Sequence, residues 1–470
     1  MGDALVTKLS PARRRAHSAL IEAQDGCGFV RDILAASAGT LSDARDEAFA
    51  LTLALGVTAT VGALDEALDR YIAKPSKVSA RVRMALRIPA FEMLYLDTPG
   101  HVAVSQGVEL VRSQARSAAG LANAVLHRVD EGRAAFFAAA DVSDDERELT
   151  ARARRQGIPV WLACMLDASL ARRGFGGKSL CFNGIAAPTC ACMCPDAVCS
   201  GDVSDCLEPS VLEGSYLVGS PAVVAASSDL AQGKLVISDL NAQLIAASTV
   251  RPGSCLEIGA GRGTKTYVMA CCANRCGLRG HHVAVDLSAA KCEINRLRLE
   301  QAGLSKGIEF APGDGCNLDA TLAHIDVAGE RTLFDTVFLD APCSGTGTMR
   351  RHPEIPWRLV SSDVEDGLPK LQLQLLQEAS RRVKPGGELI YATCSVLEVE
   401  NEQVIDAFLQ SEQGRAFKLA PLHEADPFKD ETEAMAYICE REDMRGLFQS
   451  IPLSPADFDG HFCARLIYQI

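Results

Sequence analysis

Leu256-Glu257-Ile258-Gly259-Ala260-Gly261-Arg262-Gly263-Thr264-Lys265-Thr266 is the stretch that decides the fold. The apolar run Cys255 to Ile258 predicts a strand, the alternating glycines a tight turn, and the residues beyond Gly263 a helix opening on that turn. Asp286 closes the next apolar run, Val283 to Val285, 23 residues after Gly263. A glycine turn between strand and helix lets the backbone approach a ligand, and an acid ending the second strand reaches ribose hydroxyls. The spacing departs from the dinucleotide form Gly-x-Gly-x-x-Gly, with a dinucleotide kept as the alternative ligand.

Further short apolar runs, Ile308 to Ala311, Thr336 to Leu339 and Leu389 to Ala392, alternate with helical segments. Strands alternating with helices predict an α/β domain with a parallel, doubly wound sheet. Upstream, from Leu5 to about Ala140, the pattern is helical: Phe49, Leu53, Val57, Val61, Leu64, Leu68 and Ile72 recur at three- and four-residue steps. Lys74-Pro75-Ser76 and Asp97-Thr98-Pro99-Gly100 separate the helices of this all-α region. The acidic run from Asp141 reads as a solvated connection or a first helical turn. Residues 151 to 230 combine a helix near Pro159 to Arg173 with a Gly- and Cys-rich stretch of no clear period.

The 470 residues suit two or three domains, and 48% hydrophobic with 23% charged residues excludes wholesale disorder. No apolar stretch approaches the roughly 18 residues of a membrane span. The N-terminus lacks the order of a signal peptide, so a cytoplasmic location and free thiols are expected for the 18 cysteines. Cys190, Cys192, Cys194, Cys199 and Cys206 lack the paired Cys-x2-Cys knuckles of zinc sites and have no histidine between them, and no metal is expected. The net charge of −13 is uneven: residues 396 to 470 hold 15 acidic against 6 basic side chains, residues 1 to 140 hold 15 against 16. The total therefore does not exclude a local basic face for phosphates.

Asp340-Ala341-Pro342-Cys343-Ser344-Gly345-Thr346-Gly347-Thr348 follows one predicted strand directly, and Tyr391-Ala392-Thr393-Cys394-Ser395 ends another. Both cysteines fall at carboxyl ends of strands, where ligands bind in open α/β sheets. Either alone reads more simply as a buried core thiol. Two together have a use if the acceptor atom is C5 of a pyrimidine, a poor nucleophile until a thiolate adds at C6 and makes the ring an enamine.

These segments resemble the RsmB/Sun/NOP2 family of RNA (cytosine-C5)-methyltransferases. The likeness is carried by Asp340-Ala-Pro-Cys343-Ser-Gly-Thr-Gly, Arg350-Arg351-His352-Pro353-Glu354 with Trp357, Lys384-Pro385-Gly386-Gly387, and Thr393-Cys394-Ser395 with Glu400-Asn401-Glu402. The loop at Glu257 resembles the S-adenosylmethionine loop of class I methyltransferases more than the family's own Cys-Ala-Ala-Pro-Gly-Gly. The resemblance implies Cys394 as nucleophile and Cys343 as the thiol that helps release product; DNA cytosine methyltransferases, which attack with a Pro-Cys cysteine, keep the opposite assignment open. It further implies catalytic roles for Asp340 and Lys265, and S-adenosylmethionine held by Glu257, Gly259, Ala260, Gly261, Arg262, Gly263, Lys265, Asp286, Asp314 and Asp340.

The N-terminal region resembles the RNA-binding antitermination factor NusB, on Ala12-Arg-Arg-Arg-Ala16, Leu64-Asp65, Leu94-Tyr95-Leu96-Asp97 and Ala122-Asn123-Ala124-Val125-Leu126 among others. Pro89 is expected to interrupt or kink a helix that the family continues. Arg13, Arg14 and Arg15 are RNA-contact candidates, with a solvated helix face as the alternative. The expected organisation is an all-α NusB-like RNA-binding domain over 1–140, a small connecting α+β segment over 150–230, read as a reduced RNA-binding subdomain with Leu180-Cys181-Phe182-Asn183 as its strand, and a Rossmann-like class I methyltransferase domain over 231–470. The expected activity is formation of 5-methylcytidine in 16S rRNA, with no membrane association and no obligate protein partner. The opposing expectation is a non-catalytic RNA-binding or antitermination factor on a retained methyltransferase fold, or a cytosine-C5 methyltransferase acting on another RNA.

Overall fold

The computed structural model describes residues 8–26, 28–37, 39–182, 186–326 and 331–469. The chain divides into two compact units: residues up to Gly177 with Met349–Val360 form one, and Lys178–Phe182, Ala186–Thr348 and Ser361–Ile470 the other. The start of the expected helical pattern, at Leu5, lies outside the described residues.

The first unit is all helical, with α1 (Pro11–Gln24), α2 (Val30–Ala36), α3 (Ala44–Asp69), α4 (Ala80–Tyr95), α5 (Gly100–Gln114), α6 (Ala119–Phe137), α7 (Asp144–Gln156) and α8 (Val160–Arg172). Asp43 caps α3, accepting from the Arg45 amide at 2.8 Å. Leu53, Val57, Leu64 and Leu68 of its apolar stripe are buried. α3 is long and apolar enough to cross a membrane, but its apolar stripe is packed into the core of the bundle. The acidic run proves to be the first turn of α7, where Asp144, Asp145 and Glu146 sit at the positive end of the helix dipole.

Pro89 does not interrupt its helix. α4 continues through it with Pro89 buried, and Gly107 of α5 leaves room for the ring, since a Cβ there would lie 2.6 Å from Pro89 Cγ. Packing over the ring outweighs the one missing backbone hydrogen bond.

In the second unit, β1 (Cys190–Met193), β2 (Leu207–Pro209), β3 (Ser215–Val218) and β4 (Leu235–Ile237) form a small antiparallel sheet in the order β2-β3-β1-β4. Leu180, Cys181 and Phe182 are not strand, and Asn183 lies outside the described residues; the strand of this segment is Cys190–Met193 instead. It was hidden because Cys190-Ala-Cys-Met193 is buried on both faces and does not alternate. The cysteines there fall into two clusters. Cys190 and Cys192 enter one hydrophobic cluster with Cys271 and Cys272, whereas Cys199 and Cys206 pack with Val203, Val218 and Val224 in another.

The large sheet contains β5 (Cys255–Ile258), β6 (His282–Asp286), β7 (Ile308–Pro312), β8 (Phe334–Asp340), β9 (Val383–Thr393), β10 (Phe417–Ala420), β11 (Phe448–Ser450) and β12 (His461–Tyr468). Its order is β10-β12-β9-β8-β5-β6-β7, with β11 paired to β12. All five strands expected from the sequence are present and mutually parallel. The sheet as a whole is mixed, however: β12 runs antiparallel between β9 and β10. Antiparallel neighbours need no helical crossover, so the strand–helix alternation that revealed the parallel half carries no signal for this edge. Strand order reverses at β5, and the loops leaving β5, β6, β8 and β9 emerge at the carboxyl end where such sheets hold ligands.

Candidate active site

Three glycines shape the loop after β5, with φ of 84° at Gly259, 58° at Gly261 and 82° at Gly263. Positive φ alone favours glycine. Two of the three are also sterically required: a Cβ on Gly259 would come within 2.3 Å of the Asp340 carbonyl oxygen, and one on Gly263 within 1.9 Å of Asn295 Oδ1. Asp286, at the end of β6, braces the loop by accepting the Gly261 amide at 2.9 Å on Oδ2 and the Ser288 amide at 2.9 Å on Oδ1. Its carboxylate is thus oriented before any ligand arrives. Ala260 is buried, Arg262 is exposed, and Leu287, next to Asp286, is 78% exposed, an unusual position for a leucine.

Lys265 stands in the first turn of the helix Thr264–Arg275 and places Nζ 2.7 Å from Asp340 Oδ2, at the end of β8. Burial opposes its charge, but the Asp340 carboxylate and the two nearby sulfurs outweigh that and raise its pKa. Cys343 and Cys394 leave adjacent strands, and their Sγ atoms lie 3.4 Å apart. Either sulfur can donate in this contact; with Cys343 as donor the bond lowers the Cys394 pKa against the effect of burial, and the Lys265 ammonium lowers it further. The same hydrogen bond, with burial, raises Cys343.

The structure brings Cys394, Cys343, Asp340 and Lys265 together beside the glycine loop and Asp286. Glu257 is fully buried within β5, where Oε2 pairs with His282 Nε2 at 3.1 Å. Asp314, exposed beyond β7, bonds within its own turn through the Cys316 amide at 2.8 Å. In the helical unit Arg13 pairs with the fully buried Glu92, Arg15 bonds Ser37 and the Leu34 carbonyl, and Arg14 is exposed. Two of the three arginine candidates are thereby tied to the bundle. Ser344, Ser395, Glu400 and Asn401 lie in the matching segments with no role legible from the sequence, and Gln372 lies outside those segments. All five are buried around the two cysteine loops. The signal available was an acid five residues beyond Ser395, closing the run Val396-Leu397-Glu398-Val399-Glu400.

Residues 249–466 match the family model of the 16S rRNA methyltransferases RsmB/F, and residues 10–131 match the NusB family. Ribosomal RNA small subunit methyltransferase B of Thermus thermophilus is 31% identical over 366 residues, covering 78% of this chain and 79% of that protein. The chain belongs to the RsmB/F family. The Xanthomonas campestris pv. campestris member of the same name is 29% identical over 403 residues, covering 80% of this chain and 82% of its own. The crystal structure of PH0851 shares the fold, with a TM-score of 0.73 at 20% identity over 98% of this chain and 99% of that one. Family membership makes the chain an S-adenosylmethionine-dependent RNA methyltransferase with a NusB-like helical region ahead of its methyltransferase fold.

Proposed function

We propose that this enzyme methylates C5 of a cytidine in 16S rRNA through a covalent adduct between Cys394 and C6 of the base. The observation that carries the reading is the Cys394–Cys343 thiol pair, 3.4 Å apart and next to the Lys265–Asp340 pair at the ends of two neighbouring strands. The surroundings fit a sulfonium nucleoside. Gly261 leaves open the space a Cβ would fill, Asp286 is braced to accept ribose hydroxyls, and exposed Leu287 offers an apolar surface to the adenine. S-adenosylmethionine bound there supplies the methyl group.

The chain's own residues do the rest. The Cys394 thiolate, favoured by the Lys265 ammonium and by the Cys343 S–H, adds to C6 of a base drawn out of its stack. Asp340 hydrogen-bonds the base as charge develops on the ring. Once C5 carries the methyl, the Cys343 sulfur, having lost its own proton to solvent, takes the C5 proton; the C–H electron pair becomes the C5–C6 double bond, the C6–S bond breaks and Cys394 leaves as thiolate. The NusB-like region positions the rRNA, and the reading places the protein in the cytoplasm.

Bisulfite sequencing of rRNA from cells with and without the protein tests the reaction. One cytidine protected only when the protein is present is the expected result. Unchanged protection, together with no covalent complex on 5-fluorocytidine RNA, would leave the chain a non-catalytic RNA-binding factor.

A further inference from the structure

One carboxylate grips the residue that follows each of the two cysteines. Glu400 is fully buried, and its Oε1 accepts the Ser344 amide at 2.8 Å and the Gln372 side-chain amide at 3.1 Å. Its Oε2 accepts the hydroxyls of Ser344 and Ser395, each at 2.5 Å. Thr346 completes the cluster, its Oγ1 lying 3.2 Å from Ser344 Oγ and 3.1 Å from Ser395 Oγ while accepting the Val396 amide at 3.1 Å.

Both cysteines are thereby flanked by anchored neighbours. Gln372 donates to the Pro342 carbonyl at 2.9 Å, so the residues before and after Cys343 are both tied to Glu400, one through Gln372 and one directly. On the other loop, Asn401 accepts the Thr393 hydroxyl at 2.6 Å and donates to the Ser395 carbonyl at 2.9 Å. The residues on either side of Cys394 thus hang on Asn401, the neighbour of Glu400, and on Glu400 itself.

A buried carboxylate is costly unless its acceptor sites are filled, and here four donors from three chain segments fill them. Burial pushes the Glu400 pKa up, against hydrogen bonds from both serines. Strand pairing brings β8 and β9 alongside each other, but the sulfurs sit on loops beyond the strand ends, where a backbone bond from the Gly347 amide to the Cys394 carbonyl at 2.9 Å ties the loops without fixing the stretch from Pro342 to Ser344. We propose that Glu400 is a positioning residue that holds the two cysteine loops against each other and so keeps the Cys343 thiol in hydrogen-bond reach of Cys394. The proposal rests on the reading of the two cysteines given above.

The test uses the full chain and follows Cys394 alkylation by iodoacetamide, mapped by mass spectrometry across pH, beside methyl transfer to rRNA. Glu400→Ala frees the loops. Cys394 alkylation at pH 7 should slow on the order of tenfold, its midpoint moving up toward the ordinary thiol value of about 8.5. kcat should fall while KM for RNA holds. Glu400→Gln keeps an acceptor for the amides and can donate to the hydroxyls, so it should recover most of the loss. Should Glu400→Ala fail to fold, Ser395→Ala removes one donor and should shift the midpoint the same way by less. A Glu400→Ala or Ser395→Ala protein that binds S-adenosylhomocysteine like the parent and keeps both midpoint and kcat overturns the proposal, as does a Glu400→Gln no better than Glu400→Ala. Failure of the parent to trap 5-fluorocytidine RNA would instead sink the assignment of the cysteines, with the alkylation profile still deciding the role of Glu400.

Discussion

Lys265 reaches across from the helix after β5 to Asp340 at the end of β8, Nζ to Oδ2 at 2.7 Å, so one cation serves both a carboxylate and the Cys394 sulfur. The two partners act on Cys394 with opposite sign: the ammonium lowers its pKa and the carboxylate raises it. Lys265→Met should raise the midpoint of Cys394 alkylation and slow alkylation at pH 7 by about tenfold. Asp340→Asn should move the midpoint down while methyl transfer still falls, because the base loses its hydrogen bond. Midpoints shifting in the same direction in both variants would contradict this arrangement.

The thiol pair predicts unequal mutants. Cys394→Ala should give neither adduct nor product, whereas Cys343→Ala should accumulate methylated RNA attached to the protein and retained in denaturing gels. An adduct that survives Cys394→Ala and vanishes in Cys343→Ala would mean that Cys343 is the attacking thiol.

Asp286→Ala should weaken S-adenosylmethionine by roughly 1.5–3 kcal/mol in calorimetric titration, through lost ribose hydrogen bonds and the released Gly261 and Ser288 amides. Gly259→Ala should do at least as much harm: φ of 84° costs a non-glycine residue about 1–3 kcal/mol, and the added Cβ meets the Asp340 carbonyl. NAD should not compete in either case, and competitive NAD binding would overturn the assignment of the loop.

Arg13→Ala should destabilise the helical unit by about 3 kcal/mol, since it strands Glu92 at 0% exposure without its partner. Arg14→Ala should leave the melting temperature unchanged and report on RNA affinity alone. Equal melting temperatures for the parent and Arg13→Ala would show that the buried pair is not holding α1 to α4.

The parallel half of the large sheet was legible because each strand is a short apolar run followed by a helix, and the glycine loop and both cysteine loops could be placed at its carboxyl end. β12 was not legible. Arg465 interrupts its apolar run, and its charge is neutralised by a partner distant in sequence, Glu388 of β9. Glu400 shows the same limit. In sequence it reads as one acid among many in an acidic tail, and only the fold reveals that its four donors come from Ser344, Gln372 and Ser395. Arg13 errs in the other direction: a run of three arginines suggests phosphate contact, while the buried acid that claims the first of them lies at Glu92, in a helix with no visible tie to it.

Trp357 belongs to the helical unit although it is encoded far downstream, donating from Nε1 to the carbonyls of Ala59 at 2.9 Å and Gly157 at 2.8 Å, with its ring against Gly62. The bundle is therefore unfinished while the chain is being synthesised from the N-terminus. Its helices emerge first, but the notch on α3 stays open until four of the eight strands of the large sheet have also been made. A recombinant fragment ending at Gly177 would carry that notch uncovered, and a fragment beginning after Gly177 would carry a tryptophan with nothing to receive it, so no single cut yields two complete halves.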